Sequence, residues 1–268
     1  VSQDGIYKLD NNDLQSLGIE TSNLIVNSIK LFGNGGGMLP ALNSDFRHND
    51  LQENAIQVID LNGNGIFNSD DYILFYGQSP HNWKYDSVSN IFNYSEHLFS
   101  DLNYYFITID NSSGGKRINQ KPIFTNFDKT IIAFDDFHVH EVNSENLIQS
   151  GREWFGERFG IIDSYSFNFN FPNLINSSPV TIKTSVAARS LNSSYFTVNA
   201  NNNFISNINI SNIVYDYATQ YARSAQNTSQ FNSNSDQITV NVEYNYSENN
   251  AIGWLNYIQL NSRRELRM

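Results

Sequence analysis

Ser164-Tyr165-Ser166-Phe167-Asn168-Phe169-Asn170-Phe171 alternates a small polar side chain with an aromatic one at every step. A period of two puts the four aromatics on one face of an extended strand and the Ser and Asn side chains on the other. A helix, with its period of 3.6, cannot segregate such a pattern. The stretch therefore reads as a half-buried strand with its aromatic face against a core. Downstream, residues 181–189, 194–198, 205–210, 237–246 and 254–260 read as further strands, separated by turns rich in Asn and Ser. Short strands at this spacing predict a jelly-roll-like β-sandwich over residues 126–268.

Upstream the pattern is less regular. Residues 5–9, 25–32, 55–59, 72–76 and 102–109 read as strands, and Asn12 or Asp13 is placed to cap a short helix closed by Gly18. Another strand is expected over 130–141, and a short helix over 144–150, capped by Ser144 and closed by Gly151. The fold expected is mainly β, with a mixed α+β unit over residues 1–125 and the sandwich over 126–268. With 19 Phe, 15 Tyr and 40% hydrophobic residues, a chain of 268 residues can fill two cores.

A formal net charge of −11 repels phosphate backbones, which argues against a nucleic-acid partner. No apolar run approaches the roughly 18 residues of a membrane span. Cysteine is absent, so these residues hold no disulfide, zinc–thiolate site or thiol nucleophile. The opening residues are strand-like, without a signal peptide, and read as a mature or trimmed N-terminus. The closing basic cluster, Arg263-Arg264-Glu265-Leu266-Arg267, reads as a connection to a following domain in preference to a solvated tail.

The strongest local motif is Asp60-Leu61-Asn62-Gly63-Asn64-Gly65-Ile66-Phe67-Asn68-Ser69-Asp70-Asp71. Calcium is a hard cation that takes six to eight oxygen ligands, and a twelve-residue loop supplies them from positions 1, 3, 5, 7, 9 and 12. Here these are Asp60, Asn62, Asn64, the Ile66 carbonyl, Asn68 and Asp71, with Gly65 at the sharp turn and Phe67 as an apolar anchor. The loop resembles the dockerin form of the EF-hand, except that a strand follows it where a helix is usual. Few of these ligands are charged, so the site predicted is a structural one of weak affinity, on the order of 10⁻⁴–10⁻³ M. An Asn/Gly hairpin turn without an ion is the alternative.

Other candidates read as structural. Gly33-Asn34-Gly35-Gly36-Gly37 lacks the third glycine of a dinucleotide cradle and the Lys-Ser/Thr of a phosphate loop, so a tight turn or close packing is expected. His138 and His140 share a strand face with Asp136, a spacing that binds transition metals, but no matching cluster exists elsewhere. They are expected to be a surface or interdomain pair. No serine sits in a nucleophile elbow. The doublets Asp70-Asp71 and Asp135-Asp136 read as loop or cap residues. The glycosylation triplets Asn111-Ser112-Ser113 and Asn192-Ser193-Ser194 are what an Asn/Ser-rich chain produces by chance.

Several segments together resemble one family. They are residues 5–9 (GIYKL), 31–40 (LFGNGGGMLP), 71–78 (DYILFYGQ), 150–157 (SGREWFGE), 186–190 (VAARS) and 253–258 (GWLNYI), followed by Arg263-Arg264. In order and spacing they are similar to the N-terminal region of PorU-type sortases of the Bacteroidetes type IX secretion system. The resemblance implies a non-catalytic region preceding a gingipain-type cysteine peptidase domain in cis. It implies a cell-surface, outer-membrane-associated protein that works with a barrel partner of the translocon and processes and anchors secreted cargo. The family's catalytic Cys and His lie downstream of the matched region, so no catalytic residue carries over. The function expected is scaffolding. A calcium-dependent carbohydrate-binding or adhesin module is the alternative, since jelly rolls with exposed aromatics often bind glycans.

Overall fold

The computed structural model describes residues 1–123, 125–214, 216 and 219–267. The protein is mainly β: among the described residues the strands form five sheets, and every ladder with a defined register is antiparallel. It divides into two compact units, Val1–Lys84 with Tyr94–Asn126, and Tyr85–Asn93 with Phe127–Met268. Among the described residues, no helix is long and apolar enough to cross a membrane.

The first unit opens with β1 (Gly5–Asp10) and the single-turn-plus helix α1 (Asn11–Ser16). Asp10, not Asn12 or Asp13, caps this helix; its carboxylate accepts the Asp13 N–H at 3.1 Å, and the Asp13 carboxylate accepts the Asp10 N–H at 2.9 Å. β2 (Ile29–Phe32), β3 (Glu53–Asn54), β4 (Gln57–Ile59) and β5 (Tyr72–Gly77) follow. Next come the hairpin of β6 (Asn82–Asp86) and β7 (Ile91–Ser95), of which Tyr85–Asn93 belongs to the second unit, and then β8 (Phe106–Ile109). The strands pair as β1-β5-β4 and β3-β2-β8. Leu14, Ile29, Leu31, Ile56, Phe67 and Ile73 are the fully buried centre of this unit's core. The strand expected from residue 25 begins only at Ile29, because the Val26 N–H is drawn to the Gly65 carbonyl and residues 26–28 close a 3₁₀ turn.

The second unit holds β9 (Ala133–Glu141), β10 (Arg158–Phe159), β11 (Ser164–Asn170), β12 (Val180–Arg189) and β13 (Ser194–Ala200). These are followed by β14 (Asn203–Ile210), β15 (Arg223–Phe231), β16 (Gln237–Asn245) and β17 (Ile252–Glu265). One sheet runs β10-β17-β12-β15, with β9 also on β17; the other runs β11-β16-β13-β14. Inward residues of both sheets, from Phe167 and Phe169 to Val180, Ile182, Ile258 and Leu260, form one apolar cluster. Phe167 and Phe169 are buried and Ser166, Asn168 and Asn170 exposed, as the alternation requires.

Residues 144–150 form no helix, contrary to the expectation from Ser144 and Gly151. The N–H groups of Ser144 and Glu145 both donate to the Phe155 carbonyl, and Phe155 N–H donates back to Glu145, each at 2.9 Å. Seven residues cannot offset helix nucleation when a tertiary bridge competes for the same backbone. The doublet Asp135-Asp136 lies inside β9, not in a loop or cap, and Arg263-Arg264 lies inside β17, not in a tail. Their carboxylates and guanidiniums pair across the ladder, at 2.8 Å for Arg263–Asp135 and 2.5 Å for Arg264–Asp136.

Candidate functional site

The Asp60–Asp71 loop joins β4 to β5, and the structure shows how it is held. Asp60 uses both carboxylate oxygens, accepting from Gly63 N–H and Gly65 N–H at 2.8 Å each. Asn62 Oδ1 accepts from Asn64 N–H at 3.1 Å, and Asn64 Oδ1 from Ile66 N–H at 2.8 Å. Asn68 Nδ2 donates to the Ile66 carbonyl at 2.9 Å. Asp71 is 1% exposed; its two oxygens accept from Leu61 N–H at 2.9 Å and Asn68 N–H at 2.7 Å. Gly63 and Gly65 both have positive φ, at 69° and 77°, which a side chain would strain. Phe67 points into the core, and its N–H bonds to the Leu24 carbonyl at 2.8 Å. All six expected positions thus lie on one ordered loop, and the donor set is wholly oxygen, as a hard cation requires. A carboxylate oxygen that accepts one N–H keeps a lone pair for a metal.

The glycine run after β2 is a packing device. A Cβ on Gly36 would lie 1.9 Å from the Ser79 carbonyl oxygen, and one on Gly33 would strike the Tyr105 ring at 2.7 Å. Backbone passes where no side chain fits, and no phosphate-binding role is needed to explain it.

His138 and His140 lie on β9 with their rings against aromatics of β11 and the residue that follows it: His138 on Phe171 at 4.8 Å and His140 on Phe167 at 4.4 Å. His140 Nε2 lies 2.8 Å from Glu157 Oε1. Burial pushes the Glu157 carboxyl up, but hydrogen bonds from His140 and from its own backbone N–H pull it further down, leaving it below the usual range. The pair packs within the second unit. Among the described residues, no group of three or more His, Cys, Asp or Glu side chains is arranged to hold a metal ion. Glu157 had no functional reading in the sequence, because a single acid between Gly156 and Arg158 carries no periodic signal. The Asp135–Arg263 and Asp136–Arg264 pairs had one: an acidic doublet and a basic doublet, each on a strand.

No family model and no curated protein matches the chain. Among solved structures it is similar, over 100% of its length, to dimeric latent PorU from Porphyromonas gingivalis, with a TM-score of 0.76 and 19% identity. The match covers 24% of that chain, so the present sequence spans about a quarter of it. A carbohydrate-binding module of the CBM36 type, in complex with calcium and xylotriose, matches 48% of the chain and 99% of itself, at a TM-score of 0.29 and 8% identity. The insecticidal delta-endotoxin Cry8Ea1 from Bacillus thuringiensis matches 93% of the chain and 44% of itself, at 0.31 and 14%. The first likeness shows that the chain has the fold of that part of PorU; the other two are too distant to carry an argument.

Proposed function

We propose that this chain is the non-catalytic N-terminal scaffold of a PorU-type sortase at the cell surface, associated with the outer membrane. In this reading it holds a downstream gingipain-type cysteine peptidase domain in cis. It presents that domain to a barrel partner of the type IX translocon and to secreted cargo, which the whole protein processes and anchors. The observation that carries the reading is the likeness to PorU along the entire chain at a TM-score of 0.76. The lack of any cysteine supports it, since a thiol nucleophile has to come from elsewhere in such a protein. We read the second unit as a jelly-roll-like sandwich, on the strength of its two sheets and shared core, and the first as the α+β partner.

The test uses the 268-residue chain and the purified barrel. The chain is expected to retain the barrel on a column and to leave a cargo C-terminal domain intact. Cleavage by the chain alone, or failure to retain the barrel, overturns the scaffold.

Calcium belongs to the same proposal. Asp60, Asn62, Asn64, the Ile66 carbonyl, Asn68 and Asp71 would hold it, and its charge would stiffen the link between β4 and β5. A ligand bound only by the folded state at about ten times its Kd adds about 1.4 kcal/mol. Millimolar calcium is therefore expected to raise the melting temperature by a few degrees, and Asp60→Ala to abolish the rise. An unchanged melting curve removes the ion from the account.

A further inference from the structure

The two sheets of the second unit differ sharply in charge. All five strands of the β9/β10/β17/β12/β15 sheet carry charged residues, from Asp135 and Asp136 to Arg263 and Arg264. Across β11, β16, β13 and β14, Glu243 is the one charged residue. A chain that is merely poor in charge would dilute both sheets alike. The outward side of the charged sheet is also partly covered within this unit. The Phe92 N–H donates to Asn261 Oδ1 at 2.7 Å, and Phe92 O accepts from Asn261 Nδ2 at 3.1 Å.

The uncharged sheet instead presents an ordered array of amides and hydroxyls. Register places Asn168 opposite Thr239, Asn170 opposite Gln237, and Thr197 opposite Asn207. These pairs are hydrogen-bonded: Thr239 Oγ1 to Asn168 Oδ1 at 2.7 Å, Gln237 Nε2 to Asn170 Oδ1 at 2.9 Å, and Thr197 Oγ1 to Asn207 Oδ1 at 3.1 Å. The bonds fix the side chains, while each amide keeps donors and lone pairs in excess of them. Neighbouring groups recur at about 4.8 Å between strands. At one end the array runs into a cleft of about 410 Å³ lined by Asp163, Tyr195, Glu243, Asn245 and Tyr246. Tyr195 is 39% exposed, and Tyr246 O–H is tied to Asp163 Oδ1 at 3.0 Å.

We propose that this face, Tyr195 and the Asn/Thr array of β11, β16 and β13, binds a neutral polysaccharide. The pre-ordered donors and acceptors of the array complement a polymer of hydroxyl groups, and the two carboxylates at its end, Asp163 and Glu243, repel a polyanion. An exposed tyrosine ring beside carboxylate and amide acceptors suits a sugar ring, whose C–H side is apolar and whose rim is polar. This goes beyond the scaffold reading and uses neither the calcium loop nor the peptidase domain.

Affinity electrophoresis of the 268-residue chain tests it, in native gels containing dextran, galactomannan or laminarin, with alginate as the charged control. At least one neutral polymer is expected to slow the protein, and alginate is not. Tyr195→Ala and Thr239→Lys are both outward substitutions; each is expected to weaken the retardation at least tenfold in polymer concentration, with melting temperature unchanged. Free migration in all three neutral gels overturns the proposal. So does equal retardation by alginate, or retention of the full effect in both variants.

Discussion

Asp71 shows how much one residue can hold. It is buried, both its oxygens accept backbone N–H groups, and those groups sit at opposite ends of the loop. Replacing it by alanine leaves two N–H donors unsatisfied, at about 1–3 kcal/mol each. Asp71→Ala is expected to lower stability by at least about 2 kcal/mol, read from urea unfolding. Asp110 is the matching case for pH. The Lys30 ammonium, hydrogen-bonded to it at 2.6 Å, and the Ser112 hydroxyl and N–H hold its carboxyl well below the usual range. A carboxyl depressed in the folded state adds stability above its unfolded pKa and loses it as pH falls through the folded value. Stability is thus expected to decline as pH drops from about 4 towards 2. Asp110→Asn is expected to flatten that part of the profile; equal slopes in urea midpoint would refute the assignment.

At the scale of elements, legibility followed side-chain pattern. β11 was plain because every second residue is aromatic. β15 was missed because Arg-Ser-Ala-Gln-Asn-Thr-Ser-Gln-Phe offers almost no apolar strand former; nine paired positions against β12 make it a strand. Such an element exists through its partner, which local sequence does not record. The β6–β7 hairpin was missed too, although Trp83 and Tyr85 face an Asn90 turn at positive φ and Phe92 and Tyr94 answer them. The loop was legible in full as a motif, since its spacing is local, whereas the polar array needed the register of four strands. Phe92 supplies a prediction at this scale. Asn261 clasps both its N–H and its carbonyl, and Gln259 Nε2 also donates to that carbonyl. Asn261→Ala is expected to speed hydrogen exchange at the Phe92 amide by about tenfold, the equivalent of one hydrogen bond of about 1.4 kcal/mol. An unaltered exchange rate would mean the clasp contributes nothing.

In the whole molecule, the two larger apolar clusters of the described residues share no residue: one is centred on Phe67 and Ile73, the other on Phe171, Val240 and Leu260, and a third, smaller one of Phe155, Ala187 and Trp254 lies in the second unit. Separate cores unfold separately unless something couples them. Trp254, fully buried and donating its indole N–H to Glu145 Oε2 at 2.8 Å, belongs to the second unit. Trp254→Ala removes about 3–5 kcal/mol of packing. In calorimetry it is expected to lower the melting of the second unit alone, while Asp71→Ala lowers that of the first. One endotherm moved equally by both variants would show a single cooperative body.

The position of β17 has a consequence for how the protein is made. This strand is contributed late, yet it lies in the interior of its sheet, paired with β10, β12 and β9. Glu141 meets Tyr257 across more than a hundred intervening residues. Until residues 252–265 emerge from the ribosome, β9 and β12 have no common neighbour to join them. Contacts so distant in sequence form slowly. The unit is therefore a latch closed by its last-made strand: the sheet stays open between β9 and β12 until residues 252–265 are in place.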